Sequence, residues 1–594
     1  MKSRAFKETW DLDVFFEGGS ASEAFENYLK QIQAELDTLQ THVQSVSSIQ
    51  SLQEVIDVYK DVSMKMVEAS AFVSCLKAQN TADERAEMLE IELTALFAKL
   101  DNALTVLDQQ MVNIPDTEWE EGIDTPPLNE IKFVLNERRE KAKELLSVDE
   151  EMLIQSLAVD GYHSWGQMYD TIVSRITIPV EEGEEVKELS VGQAYNKFSD
   201  LDRNVRKKVF EEWEKAWANE ADLFARTLNH LGGFRLSVYE KRGWDDVLKE
   251  PLELNRMKKE TLEAMWSAIE ENKEPFVRYL NRKAELLGLD GLHWYDLDAP
   301  IGKVESKVSY QEGAEFILKQ FSQFGEQLTN FTERAFSERW IEAEDRPQKA
   351  PGGFCTSFPV SQQSRIFMTF SGTPNNVSTL AHELGHAFHS YAMKEVHPLN
   401  CDYAMNVAET ASTFAELIVS TAAVKQASSK EEKLALLDDK LQLSVAMFMN
   451  IHARFIFETS FYEERKKGWV SKDRLNTLME NALERAYCGA LKEYHPHFWA
   501  SKLHFYITDY PFYNFPYTFG YLFSLGVYKR AVEEGEGFEE KYMALLKDTG
   551  SMTVEDLAMK HLQVDLTKKE FWQNGLKMAI EEVEEFLTLS EDLV

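Results

Sequence analysis

Thr379-Leu-Ala-His-Glu-Leu-Gly-His-Ala-Phe-His-Ser390 is the stretch from which the rest of this 594-residue chain can be read. No proline interrupts it, and Asn376, a good N-cap, stands just ahead, so the spacing predicts a helix. On a helix, His382 and His386 lie one above the other on the same face, and both imidazoles can point at one metal ion. Glu383, beside the first histidine, can reach a water activated there. The pattern fixes three positions, two of them a residue type used only 13 times in the chain. It points to a metal-dependent hydrolase.

Such a metal takes three protein ligands and leaves one position open. Downstream, Asn406-Val-Ala-Glu409-Thr-Ala-Ser-Thr-Phe-Ala-Glu416 has a helical pattern and small residues that suit close packing against the first helix. Its two glutamates are seven apart and share a face. Glu409 is the expected third ligand. Glu416, two turns on, is expected to stand behind the ligands as an acceptor, or to make a structural ion pair. Glu395 and Asp402 are the alternatives for the third ligand, but both sit in the loop around Pro398. His389 is turned off the His382/His386 line and is expected to face substrate or to stand behind the ligands. His230 has no partner at i+4 and reads as a core or capping histidine.

Ahead of the motif, Pro351-Gly352-Gly353-Phe354-Cys355 is an extended stretch and Arg365 to Phe370 a short strand. An edge strand there can hold an extended peptide by backbone hydrogen bonds. Gly352 and Gly353 allow a ligand backbone to come close, and Cys355 reads as a small buried residue. Far downstream, His504, Tyr506, Tyr510, Tyr513, Tyr517 and Tyr521 form a dense group of hydrogen-bond donors. A phenol is a neutral donor near pH 7 and suits a developing oxyanion. Tyr517 and Tyr521 are favoured for that role, with His504 and Tyr513 next.

Four features together resemble the M3 peptidases, in particular the oligoendopeptidase F branch. They are Gly352-Gly-Phe-Cys355, the His382-to-His386 motif in its setting, Ala408-Glu-Thr-Ala-Ser-Thr413, and Pro511-Phe-Tyr-Asn-Phe-Pro-Tyr-Thr-Phe-Gly-Tyr521. The resemblance covers roughly residues 200 to 585. It implies a mostly α, two-lobed zincin-type metallopeptidase with a deep central channel and a small β element beside the metal helix. It also implies one Zn2+ held by His382, His386 and Glu409, and cytosolic cleavage of short peptides.

The bulk properties agree with an enzyme of that kind. Asp and Glu total 101 against 64 Lys and Arg, a net charge of −37. Such a surface repels nucleic acid and anionic membranes. Four dispersed cysteines argue against a disulfide framework. No signal peptide or membrane span is expected, and a cytoplasmic location follows. The partners expected are short peptide substrates, and the oligomeric state is open. Hydrophobic residues step by three and four through residues 20 to 112. A β-hairpin is expected after Thr171, with its turn at Glu181 to Glu185. The division expected is a helical region (1–112), a linker and small helical/β-hairpin region (113–200), and a catalytic domain (201–594). Two other readings compete: a peptide-binding scaffold with a vestigial metal site, and a helical protein assembled through residues 20 to 112. Glu383 speaks against the first, because a dead site could lose its base and keep its histidines.

Overall fold

The computed structural model describes residues 5–182, 185–302, 307–535 and 537–593. It is mostly α-helical, with five short strands among the described residues. The chain opens with α1 (Glu23–Val43), α2 (Ile49–Gln79) and α3 (Glu84–Asn113). Ser22 and Asp83 cap α1 and α3, accepting from Phe25 N at 3.3 Å and Ala86 N at 3.0 Å. Phe25, Leu29, Ile32, Leu36, Leu39 and Val43 are all buried, so the stripe on α1 is internal. Each of the three helices packs against the other two.

Contacts group the chain into two compact units. Unit one comprises Met1–Leu145, Ser306–Ala422 and Arg530–Gln563; unit two comprises Leu146–Glu305, Ala423–Lys529 and Val564–Val594. Neither is contiguous, so neither coincides with the expected 1–112, 113–200 and 201–594 division. The stretch 201–594 contributes to both.

Unit two contains an antiparallel hairpin of β1 (Thr177–Glu182) and β2 (Glu185–Ser190). Unit one contains β3 (Ile341–Glu342), β4 (Phe354–Phe358) and β5 (Gln363–Phe367) in the order β3-β5-β4. β4 runs antiparallel to β5, with Phe354 opposite Phe367, and β3 runs parallel to it. The stretch expected as an edge strand is therefore the centre of the sheet. The edge belongs to β4, which Gly352 and Gly353 lead into. The side chains of Phe358 and Phe367 join the same buried core as α1, α2 and α3. The turn after β4 is also tied to α2, where buried Glu68 accepts from Val360 N at 2.8 Å and Ser361 N at 3.1 Å.

Several boundaries differ from the sequence reading. Residues 113–128 hold a helix, Asp116–Ile123, that buries Trp119 and Ile123. Thr171 to Arg175 ends a helix (Ser164–Arg175), and the strand begins only at Thr177. Burial of Tyr169 and Ile172 on that helix outweighs local β-propensity. Gly183 and Glu184, in the expected turn, lie outside the described residues. Asn229 to Gly233 interrupts nothing, because the helix Arg203–Arg242 runs straight through it. Its glycines make room for neighbours: a Cβ on Gly232 would stand 2.8 Å from the Phe461 ring, and one on Gly233 2.2 Å from the Arg465 guanidinium. His230 is exposed and stacks on Trp165 at 4.6 Å between ring centres, so it is neither core nor cap.

Candidate active site

The motif lies on the helix Pro374–Ala392 in unit one. Its N-cap is Thr373, one turn earlier than Asn376. Thr373 Oγ1 accepts from Asn376 N at 3.2 Å, and Asn376 Oδ1 accepts in return from Thr373 N at 3.2 Å and Ser371 N at 2.9 Å. Pro374 takes the first helical position, where a missing N–H leaves no bond unmade.

Glu409 stands at the break between two helices, Met405–Ala408 and Thr410–Gln426. By length and composition Met405–Gln426 is apolar enough to cross a membrane, but more than half of its most apolar stretch is buried inside the protein. It is a core helix, and Gly385 explains how close it comes. A Cβ on Gly385 would stand 2.4 Å from the carbonyl oxygen of Ala411 and 2.6 Å from Ser412 Cα. Only glycine lets the two backbones approach this far.

That approach brings three donors together. His382 Nε2 lies 3.2 Å and His386 Nε2 3.4 Å from Glu409 Oε2. A tetrahedral ion with ligand bonds of about 2.0–2.1 Å has ligand–ligand edges of about 3.3–3.4 Å, so the two separations from Glu409 fit one ion, and all three atoms lie within 4.8 Å of one another. Two imidazoles and a carboxylate are also the donor set of a hydrolytic zinc site. His382, His386 and Glu409 remain 27%, 24% and 31% exposed, which leaves one face of the cluster open. Burial works to lower the pKa of His382, but hydrogen bonds to Glu409 and Glu416 outweigh it and push it up to about 10. Burial would likewise raise Glu409, yet the two imidazoles hold its carboxyl far below the ordinary carboxylate range. A cation entering here takes the place of the proton on His382, so its binding releases a proton.

Glu416 occupies the far side of His382, with Oε2 3.0 Å from Nδ1. An N–H at Nδ1 leaves the Nε2 lone pair directed at the cluster. Replacing Glu416 by alanine is expected to weaken metal affinity by about 10- to 100-fold. Competition with a chelator of known affinity measures this, and an unchanged affinity would show that the contact does not orient the ligand.

Glu383 is 7% exposed, and its Oε2 is buried with no hydrogen-bond partner. Burial pushes its carboxyl up. Its other oxygen lies against the strand entry, 3.7 Å from where a Cβ of Gly353 would be. Gly352 is exposed with φ +87° and open space around it. Cys355, next along β4, is half-buried rather than fully buried, and burial together with Glu383 pushes its thiol up, away from the reactive thiolate. Glu395 and Asp402 are exposed and outside the ligand cluster.

His389 does not face substrate. It is 0% exposed, its ring stacks on Tyr403 at 4.3 Å, and its Nε2 is 2.9 Å from Thr549 Oγ1. Burial drives its pKa down to about 3, so the ring is neutral.

In unit two, the structure brings His504, Tyr510, Tyr513 and Tyr517 together. Ring centres are 5.6 Å apart for His504 and Tyr513, 5.9 Å for His504 and Tyr517, 5.4 Å for Tyr513 and Tyr517, and 5.7 Å for Tyr510 and Tyr513. All four are half-buried. Tyr521 does not belong to the cluster. It is buried one turn further along the helix Phe515–Glu534, with its hydroxyl 3.0 Å from Ser444 Oγ and its ring against Phe448. Burial, with Arg454 and Lys502, pushes His504 down to about 4, so it is neutral near pH 7.

Comparison with known proteins decides the family. Residues 198–578 match the model of peptidase family M3, and residues 110–178 match the one described as oligopeptidase F. The chain belongs to peptidase family M3. This M3 metallopeptidase is 25% identical over 607 residues to the group B oligopeptidase PepB of Streptococcus agalactiae, covering 99% of this chain and 97% of that protein. It is 22% identical over 589 residues to oligopeptidase PepF of Bacillus subtilis, covering 98% and 87%. Its fold is similar to a solved structure from Chlamydophila abortus, with a TM-score of 0.85, 19% identity and 98% of each chain covered. It is also similar to oligoendopeptidase-F from Enterococcus faecium, with a TM-score of 0.70, 18% identity, and 96% and 99% covered. The mostly α fold expected from the sequence is the fold observed.

Sequence reasoning missed two supports of this M3 peptidase. Gly385 left no signal beyond its place inside the motif. Glu458, buried at 4% exposure, accepts from Phe512 N at 3.2 Å and Asn514 Nδ2 at 2.6 Å. It holds Phe512 at φ +54°, the bend between Tyr510 and Tyr513.

Proposed function

We propose that this M3 peptidase hydrolyses internal bonds of short oligopeptides, using one Zn2+ held by His382, His386 and Glu409 and Glu383 as general base. The observation that carries the reading is the convergence of three ligand atoms next to a buried carboxylate oxygen with no partner. The relatives named oligopeptidases and oligoendopeptidases support the substrate class. Zinc, when bound, supplies Lewis acidity that polarises the scissile carbonyl and activates a water. Glu383 takes a proton from that water and returns it to the leaving amine. The edge of β4, with Gly352 and Gly353, offers its backbone to an extended peptide. His504, Tyr513 and Tyr517 are neutral donors suited to a developing oxyanion, and Tyr510 joins them as a fourth candidate.

Digestion of a mixed peptide library, with the cut positions mapped by mass spectrometry, tests the proposal. Cleavage is expected at internal bonds, to fall by at least about 100-fold after chelation, and to return with stoichiometric Zn2+. Undiminished cleavage by metal-free protein would overturn the metal assignment. A library left intact by the zinc-loaded enzyme would overturn the substrate class.

A further inference from the structure

Unit two holds a partly open cavity of about 140 Å³. Aromatic side chains form its walls, among them Tyr195, Phe198, Trp294 and Phe498, and two cations, Arg454 and Lys502, line it. Arg454 Nε donates to Asn450 Oδ1 at 2.9 Å, and the guanidinium sits over the Phe498 ring at 5.4 Å. The Lys502 ammonium lies over Tyr195 at 5.3 Å and Phe498 at 5.2 Å. Neither cation makes an ion pair among the described residues. The one carboxylate in the lining, Asp298, takes a hydrogen bond from Tyr195 at 3.4 Å.

Asp298 acts on Lys502 from beyond ion-pair distance, so one carboxylate faces two cations and the cavity keeps an excess of positive charge, which is unfavourable unless something further compensates it. Two other cations of the same unit are buried against a carboxylate, while Lys273 and Arg235 are buried with neutral partners, a histidine, tyrosines and carbonyls. Lys283 pairs with Asp438 at 3.1 Å, and Arg206 with Asp296 at 3.0 Å. Burial and the mutual repulsion of Arg454 and Lys502 show in Lys502, whose pKa falls to about 7. The rings around them give partial relief, of the size cation–π contacts supply. The fork of Arg454 still keeps its terminal nitrogens for a ligand, and a guanidinium matches a carboxylate in shape and charge. The volume is close to that of a cavity able to hold a benzene-sized group, enough for one amino-acid side chain. Arg454 and Lys502 also act electrostatically on His504, and Arg454 on Tyr517, which places the cavity beside the donor cluster of the same unit.

We propose that this cavity is a specificity subsite that receives a carboxylate of a bound peptide between Arg454 and Lys502. The ligand's being a peptide rests on the peptidase reading above; the carboxylate itself comes from the cavity. The carboxylate has two sources, an acidic side chain or the C-terminus.

Calorimetric titration of the full-length, metal-free protein separates them, because nothing is cleaved and the result does not depend on catalysis. The probes are three hexapeptides of one sequence. The first has glutamate at a central position and an amidated C-terminus, the second has glutamine there and a free C-terminus, and the third has glutamine and an amide. One of the two carboxylate peptides is expected to bind about 10- to 100-fold more tightly than the neutral one, and which one names the source. That ratio is expected to fall towards one in Arg454→Met and Lys502→Met and to recover in part in Arg454→Lys. Circular dichroism checks that each variant is folded. If the three peptides bind alike, or if folded variants keep the full preference, the proposal is overturned. If the preference is found but no peptide is cut after zinc is restored, the subsite stands and the peptidase reading falls.

Discussion

Glu383→Gln is expected to abolish most peptide cleavage while leaving metal binding in place. Glutamine has the same shape and can still accept a hydrogen bond, but it cannot take a proton. A positioned general acid–base is worth about 10²- to 10⁴-fold in rate, so kcat should fall by that factor and KM should change little. The fold should survive, because Oε2 of Glu383 has no partner to lose and the neighbouring Gly353 leaves room for an amide. Removing a buried charge that nothing pairs can even stabilise the protein. The measurement pairs steady-state kinetics on a quenched fluorescent peptide with metal content per chain. A variant with normal metal content and activity within tenfold of the parent would exclude Glu383 as the base. The vestigial-scaffold reading predicts no activity in either protein.

Gly385→Ala puts two effects in opposition. Helix propensity favours alanine over glycine by about 1 kcal/mol, so on propensity alone the variant should be more stable. Packing says the reverse. The new methyl would lie 2.4 Å from a carbonyl oxygen and 2.6 Å from a Cα, and both belong to backbone that cannot rotate away. Overpacking of this kind costs about 1–3 kcal/mol even where side chains can adjust, so packing should prevail. The helices must part, and Glu409 moves with its helix away from both histidines. The expected result is a lower Tm together with metal affinity weakened by at least about tenfold, the loss that milder misplacement of a ligand already produces. Valine should be worse than alanine. A Gly385→Ala protein with higher stability and unchanged metal affinity would mean that the helices have slack at this contact.

The parts of the site that were legible in the sequence are those fixed by helical geometry. Spacing of four puts His382 and His386 on one face whatever surrounds them. Glu409 and Glu416 both reach His382, but Glu409 does so from the break between two helices, which spacing alone does not announce. The misreadings came where periodicity stops. Spacing gives the angle of His389 around its helix but not what covers that turn, which is Tyr403 and Thr549. Tyr513, Tyr517 and Tyr521 step by four, but the helix begins only at Phe515. The bend at Phe512 returns Tyr510 to the cluster, while Tyr521 passes into the core. The amphipathic stripes of α1 and α3 were legible for the same reason as the metal motif. The units they belong to were not, because no local pattern announces that residues 306–422 and 530–563 will pack with the N-terminal helices.

That discontinuity bears on how the protein comes off the ribosome. Synthesis runs from the N-terminus, and a unit can close only when its last segment has emerged. The N-terminal helices of unit one are made first, the motif helix hundreds of residues later, and Thr549, which holds His389 behind that helix, 160 residues later still. Unit one therefore keeps part of its core uncovered until its last segment, Arg530–Gln563, has emerged. The helix that carries the candidate metal ligands gains its backing late, which delays proteolytic competence until the segment with Thr549 has been made.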